Sequence, residues 1–255
     1  MNTIKEIYEK LCELAPLSLQ LPYDNSGFLV GRADIPVHNV LLSLDITGEV
    51  IEEAQERGAE LMISHHPVIW DPLKHVTDQD VDTAKILRLL EKNLSVISMH
   101  TNLDIARGGV NDVLLSLLGG RNGCCFEDEN CGRMGYLEKA VSMQNFLLLC
   151  KERLQTNGLR YYDAGRPVEK IAVLGGSGGG KLLDAYRAGC DTFVTADVKY
   201  SVFLLAREVG MNLIDGDHFC TENPVMYVLA EKLRAAFPDI RFAVSSRHTQ
   251  TARFY

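Results

Sequence analysis

The chain has 255 residues with 26 Lys and Arg against 34 Asp and Glu, a formal charge of −8, and it is 46% hydrophobic and 24% charged. That acidic balance argues against a protein that grips nucleic acid through its phosphates, which requires a basic surface, and the basic and aromatic tail at Arg241, Arg247, His248, Arg253, Phe254 and Tyr255 is too small to reverse it. No apolar run reaches membrane-spanning length and charges interrupt the N-terminus at Lys5, Glu6, Glu9, Lys10 and Glu13, so the expected location is the cytoplasm and no membrane partner is expected.

In chain order, Thr3 and Glu6 form a capping box, Ile4, Ile7, Tyr8 and Leu11 make one apolar stripe, and Pro16 marks the end of that first helix. Tyr23 to Gly27 reads as a loop. An alternation follows: a strand through Leu44, a helix near Glu49 to Arg57, a strand through Ile63, a helix near Val81 to Leu90 and a strand through Met99. Gly119 to Gly132 has glycines at its ends and acids between, as expected of a boundary or exposed connection. Beyond it, strands at Ile171 to Leu174, Thr192 to Thr195, Asn212 to Ile214 and Ile240 to Val244 alternate with helices at Lys181 to Arg187, Val198 to Glu208 and Pro224 to Ala236. Strands alternating with helices imply right-handed crossovers. The expected fold is α/β, with two α/β lobes, 1–125 and 126–255, built on largely parallel sheets.

The seven cysteines, at 12, 124, 125, 131, 150, 190 and 220, contain no Cys-x-x-Cys pair, which indicates neither a zinc ribbon nor a disulfide framework. The chemistry lies in histidines. Glu60-Leu61-Met62-Ile63-Ser64-His65-His66-Pro67 runs a strand straight into two adjacent imidazoles, at the rim where side chains leave the packed interior yet remain held by it. In extended backbone His65 and His66 point to opposite sides, so they would not readily chelate one ion together but could serve two. Asp45, the histidine pair, and His100 with Asp104 each follow a strand, and a parallel sheet gathers such positions at one edge. Later, Ile214-Asp215-Gly216-Asp217-His218 opens a helix that carries Glu222 four residues after His218, on one face.

His65, His66, Asp104, His218 and Glu222 together offer three nitrogen donors and two carboxylates, a set suited to a carboxylate-bridged pair of ions. Zinc, iron, manganese, cobalt and nickel all fit these donors. Asp45 and His100 share the predicted rim and serve either as groups that orient ligands and move protons or as structural residues. Lys199 either meets an anion or is a solvated helix lysine. Gly175 to Lys181 sits between a strand and a helix, like a phosphate-binding loop, but Leu182 stands where a magnesium-binding Ser or Thr belongs; a tight turn or an anion-contacting loop is the expected role.

Asp24-Asn25-Ser26-Gly27-Phe28 with Gly31, Ser43-Leu44-Asp45, Ser64-His65-His66-Pro67, His100-Thr101-Asn102-Leu103-Asp104, Thr195-Ala196-Asp197 with Lys199-Tyr200, and His218 to Glu222 resemble the GTP cyclohydrolase type-two homologue family, also called the Nif-three-like family, over nearly the whole chain. The resemblance implies a two-metal site held by His65, His66, Asp104, His218 and Glu222 at the lobe junction, and a ring-shaped homohexamer. Two departures stand out: Asp217 where members usually carry Gly, and Ala196 within Thr-Gly-Asp. Asp217 would add negative charge beside the metals. The expected function is a dinuclear metal-dependent hydrolase acting on a small polar, nucleotide-like substrate; the alternative is a non-enzymatic metal-binding regulatory or interaction protein.

Overall fold

The computed structural model describes residues 2–255. Its helices are α1 (Ile4–Leu14), α2 (Gly48–Glu56), α3 (Val81–Glu91), α4 (Thr101–Ile105), α5 (Val110–Leu117), α6 (Met143–Leu154), α7 (Leu182–Arg187), α8 (Tyr200–Val209), α9 (His218–Glu222) and α10 (Pro224–Ala236). Its strands are β1 (Gly27–Val30), β2 (Asn39–Ser43), β3 (Leu61–Ser64), β4 (Ser95–Ser98), β5 (Arg121–Cys124), β6 (Arg133–Val141), β7 (Arg160–Tyr162), β8 (Val168–Val173), β9 (Thr192–Thr195), β10 (Asn212–Asp215) and β11 (Arg241–Val244). The fold is mixed α/β, as the alternation implies. The chain forms two compact units: residues up to Arg107 with Met226–Thr249, and Gly108–Val225 with Gln250–Tyr255. Among the described residues no helix is long and apolar enough to cross a membrane.

The first unit is built on a five-stranded sheet ordered β1-β4-β3-β2-β11. β11, β2, β3 and β4 run parallel, and β1 closes the edge antiparallel to β4. β3 and β4 are buried along their whole lengths, and β2 from Val40 onward. Such near-continuous apolar runs are what a parallel sheet covered on both faces requires. Register then fixes the rim: Ser43 pairs with Ser64 and Ser64 with Ser98, so the three strands end level with one another. The capping box at Thr3 forms as expected, with Thr3 N–H donating to Glu6 Oε2 at 2.6 Å.

β11 joins this sheet although it follows the other unit in sequence, and a buried carboxylate fastens what comes after it. Glu53 on α2 accepts from Ser245 Oγ at 2.5 Å, from Ser246 Oγ at 3.0 Å and from the backbone N–H groups of Ser246 and Arg247, and Arg57 Nε lies 2.9 Å away. Burial pushes the Glu53 carboxyl upward, but these donors outweigh it and bring the group down to about 2.

The second unit has a six-stranded sheet ordered β5-β6-β8-β9-β10-β7. Its centre, β8-β9-β10, is parallel, and its flanks are antiparallel. One side packs Leu114, Leu118, Phe146, Cys150 and Ile214 into a core, and the other packs Phe193, Leu182, Ala206 and Leu213. Residues 121–124, within the stretch read as a connection, form the exposed edge strand β5. All seven cysteines are thiols, and Cys131, Cys150, Cys190 and Cys220 are buried. Burial pushes Cys150 and Cys220 up to about 12 and Cys190 up to about 11, so they remain protonated apolar fillers.

A carboxyl whose folded value lies below its ordinary value of 4.5 contributes stability that is complete above 4.5 and is lost as pH falls towards 2. Glu53→Gln is expected to cost on the order of 3 kcal/mol at neutral pH. In denaturant titrations, its deficit against wild type should shrink as pH falls from 4.5 towards 2. A deficit that stays constant across that window would show that the Glu53 charge contributes nothing.

Candidate functional site

In the first unit the level strand ends carry the predicted residues to one edge. The backbone turns sharply after β3, because the N–H groups of His65 and His66 both donate to Leu44 O, at 3.2 and 3.0 Å. Serine hydroxyls brace the same turns: Ser43 Oγ donates to Asp45 O and Ser64 Oγ to His66 O, each at 2.7 Å. With its only proton committed there, Ser64 must accept from Ser98 Oγ at 2.8 Å. The expectation that the two imidazoles diverge assumed extended backbone. In the folded turn their ring centroids lie 5.0 Å apart.

His100 completes a cluster, with its ring centroid 5.1 Å from that of His65 and 5.6 Å from that of His66. One nitrogen from each of these three rings lies within 4.8 Å of the others, a group that could hold a metal ion. Each ring is fixed through Nδ1. His65, wholly buried, lies with Nδ1 2.8 Å from Met99 O; His66 Nδ1 lies 2.7 Å from Asp45 Oδ1; His100 Nδ1 lies 2.8 Å from Asp24 Oδ1. A carbonyl or a carboxylate can only accept, so Nδ1 carries the proton in all three and Nε2 carries the lone pair. Asp104, on α4, places Oδ1 3.6 Å from His65 Nε2.

Two supporting residues of the first unit carry no local signal in the sequence. Asp24, its side chain fully enclosed, also accepts from Ser26 Oγ at 2.7 Å and from Thr101 Oγ1 at 2.5 Å. Burial opposes its ionisation, yet the hydrogen bonds from His100, Thr101 and Ser26 hold it well below the usual carboxylate range. His248, delivered by the segment that Glu53 fastens, accepts the Asp45 N–H at Nδ1 (3.3 Å) and sets Nε2 3.4 Å from Asp45 Oδ2. Its proton therefore sits on Nε2, opposite to the site imidazoles. Burial, partly offset by Asp45 and reinforced by His66, lowers its pKa.

The second unit presents His218 and Glu222 from one face of α9, with His218 Nε2 3.1 Å from Glu222 Oε2. Asp197, just after β9, holds His218 Nδ1 at 2.7 Å, as Asp45 does for His66 after β2. A residue of the same type at the same place in a strand-turn unit was the signal that could have found it. Asp215, at the end of β10, accepts from Val198 N and Asp217 N and pairs with Arg160, which braces both loops. Asp217 has φ +74, a left-handed conformation in which glycine is unstrained, and caps α9 by accepting from Cys220 N at 3.1 Å. Ala196 is buried and donates its N–H to Gly176 O at 2.8 Å. Lys199 is exposed at the start of α8.

The glycine loop turns part of its backbone inward. Three of its N–H groups are spent internally: Gly175 on Asn111 Oδ1, Gly176 on Thr221 Oγ1 and Gly178 on Thr195 Oγ1. Lys181 is paired with Glu129 at 2.9 Å and Glu127 at 3.5 Å. What the loop supplies is room. A Cβ on Gly176 would lie 2.1 Å from Glu222 Oε1 and 3.0 Å from His218 Nε2.

Two donors on one tetrahedral ion, each about 2.1 Å from it, lie about 3.4 Å apart. The spacings of 3.6 Å at His65 and Asp104 and 3.1 Å at His218 and Glu222 match that edge, so both donor pairs fit a divalent ion. Fold and side chains together define an α/β protein with histidine and carboxylate groups that could hold metal. The Duf34/NIF3 (NGG1p interacting factor 3) family model matches residues 2–252, and the chain belongs to that family. It is 34% identical over 253 residues to a GTP cyclohydrolase 1 type 2 homolog of Clostridium perfringens, covering 96% of this chain and 95% of that one. A GTP cyclohydrolase 1 type 2 homolog of Campylobacter jejuni is 35% identical over 232 residues, 91% of this chain and 92% of that one. The crystal structure of a Bacillus cereus protein related to NIF3 superposes with a TM-score of 0.90 at 23% identity, covering 100% and 99% of the two chains.

Gly176→Ala is expected to leave the fold intact at a cost of about 1–2 kcal/mol, because φ there is +64. The same methyl pushes the Glu222 carboxylate aside, so divalent-cation uptake measured by calorimetry should fall far more than thermal stability. Equal uptake by variant and wild type would remove the loop from any role at the site.

Proposed function

We propose that His65, His66, Asp104, His218 and Glu222 together hold two divalent metal ions, and that the protein is a cytoplasmic hydrolase of a small polar, nucleotide-like substrate, assembled as a homohexamer. The observation that carries this reading is the common anchoring of His65, His66 and His218 through Nδ1, which leaves each Nε2 as the donor atom beside a carboxylate or another imidazole. Zinc, iron, manganese, cobalt and nickel all suit this donor set. Divalent ions at such a centre polarise a carbonyl or phosphoryl oxygen and lower the pKa of water towards neutrality.

The protein's own groups supply the rest. Asp45 and Asp197 keep His66 and His218 in the tautomer that binds cations and raise the basicity of each ring. Met99 O does the same for His65, enclosed where water does not compete for the ring. Asp24 fixes the orientation of His100, whose Nε2 is directed away from that carboxylate and is the group placed to move a proton. GTP ring opening, suggested by the relatives' names, is one reaction within this class.

Metal per chain, measured by mass spectrometry after loading, is expected to be two ions in the wild type and fewer in His66→Ala and Glu222→Ala. Asp45→Ala, which removes the carboxylate that holds His66 and faces His248, is expected to weaken metal binding by about 10–100-fold. Loaded protein should turn over a member of a panel of nucleotides, phosphoesters and cyclic amides, and His66→Ala should abolish that turnover. If loaded protein turns over nothing while His66→Ala alters binding to a protein partner, the non-enzymatic reading replaces this one.

A further inference from the structure

Trp70 is the only tryptophan in the sequence, and 48% of its surface is exposed. Tyr23, 64% exposed, lies beside it, with ring centroids 6.4 Å apart and planes tilted by 44°. Large aromatic side chains gain most by burial, so two of them held together at the surface call for a reason. Neither sits on loose chain. Asn25 Nδ2 donates to Ile69 O at 2.7 Å, immediately before Trp70, and Val68 and Ile69 pack against the core of the first unit. Tyr23 directly precedes Asp24, whose enclosed carboxylate is tied to His100, Thr101 and Ser26.

The two rings continue into the histidine cluster. Trp70 meets His100 edge-on, with centroids 5.5 Å apart and planes at 78°, and His100 meets His65 and His66. We propose that Tyr23 and Trp70 form a stacking platform that receives the planar heteroaromatic ring of a small-molecule ligand beside His66 and His100. The tilt keeps the two rings from stacking on each other. An aromatic face binds a flat ring whatever its hydrogen-bonding edge, and the adjacent imidazoles then meet polar groups at the ring's end. This placement of the reacting end rests on the function proposed above, whereas binding of the ring does not. Leu73 and Val76, further along the same loop, are also exposed, so a second copy of the chain is the rival occupant.

Because Trp70 has no other tryptophan to mask it, its emission reports directly on the platform. The full, metal-loaded chain is titrated with a purine nucleotide, a pterin and a pyridine nucleotide, each compared with ribose 5-phosphate. Saturable quenching by at least one ring compound and none by the sugar phosphate is expected. Tyr23→Leu should weaken that binding about tenfold, read from the same emission. By calorimetry, Trp70→Phe should retain binding and Trp70→Leu should lose it, with metal content unchanged in all three variants. The platform is overturned if no ring compound quenches, if ribose 5-phosphate quenches equally, or if Trp70→Leu keeps ring affinity and instead dissociates an assembly of chains. Metal content of the same samples separates the two readings: ring binding by a chain that takes up no metal leaves the platform standing and removes the dinuclear centre.

Discussion

Within each unit, the chemistry depends on where the imidazoles keep their protons. His65, His66, His100 and His218 each give Nδ1 to an oxygen that has no hydrogen to offer: a backbone carbonyl, Asp45, Asp24 and Asp197. That single constraint settles the tautomer, fixes each ring plane and makes Nε2 the basic atom. His248 shows the contrast, since it accepts at Nδ1 from a backbone N–H and turns its proton towards Asp45. Its role is to steady a carboxylate rather than to act as a donor, and burial, which lowers its pKa, suits that neutral form.

Each unit reaches this arrangement from the same local plan, a buried strand that ends in a short turn. In the first unit the turns are shaped by hydroxyls that reach two residues forward, Ser43 to Asp45 O and Ser64 to His66 O. In the second, Thr195 and Thr221 take the corresponding load, holding the backbone of Gly176 and Gly178. A small hydroxylic residue at a strand end satisfies backbone groups that the sheet ladder no longer reaches, and it leaves the following side chains pointing out of the rim. The fold thus supports its site through ordinary strand-end bonding, with Glu53 fastening the segment that brings His248 into place.

Much of this was legible in the chain. The alternation of apolar strands and amphipathic helices gave β2, β3, β4, β9 and β10 and the helices α1, α2, α3, α8 and α10 to within a few residues, because both periodicities are local, whereas α6 lies in a stretch for which no element was expected. The gathering of Asp45, the histidine pair and His100 at one edge follows from parallel strands that start and stop together. Less local features were hidden. β1 lay partly within a stretch read as loop, its four residues identified as a strand only by pairing with β4. β11 pairs with β2, Arg241 opposite Asn39, across most of the sequence, and no local pattern names a partner that distant. Asp24 and His248 were invisible as supports for the same reason: each acts on a residue about 76 or 203 positions away in the sequence. The divergence expected of His65 and His66 failed because strand geometry was carried one turn too far, past the point where both N–H groups converge on Leu44 O.

The glycine loop shows how one sequence pattern can answer two different needs. In a phosphate-binding loop, glycines let backbone N–H groups approach an anion. Here the N–H groups of Gly175, Gly176 and Gly178 are already taken, and the absent side chain matters instead, because Glu222 occupies the space where a Cβ of Gly176 would stand. Both cases reduce to close approach of the backbone to a negatively charged group, which is why composition alone cannot separate them. The deciding feature lies outside the loop, in Lys181. A nucleotide-binding lysine must be available to phosphate, whereas this one is engaged by Glu129 and Glu127, which raise its pKa and hold it away. Asp217 follows a similar logic at the start of α9. Its left-handed backbone is where glycine costs least, yet aspartate at that position offers a carboxylate that caps the helix carrying His218 and Glu222. The departure from glycine therefore exchanges backbone ease for a bonded helix start, and the two donors keep their places.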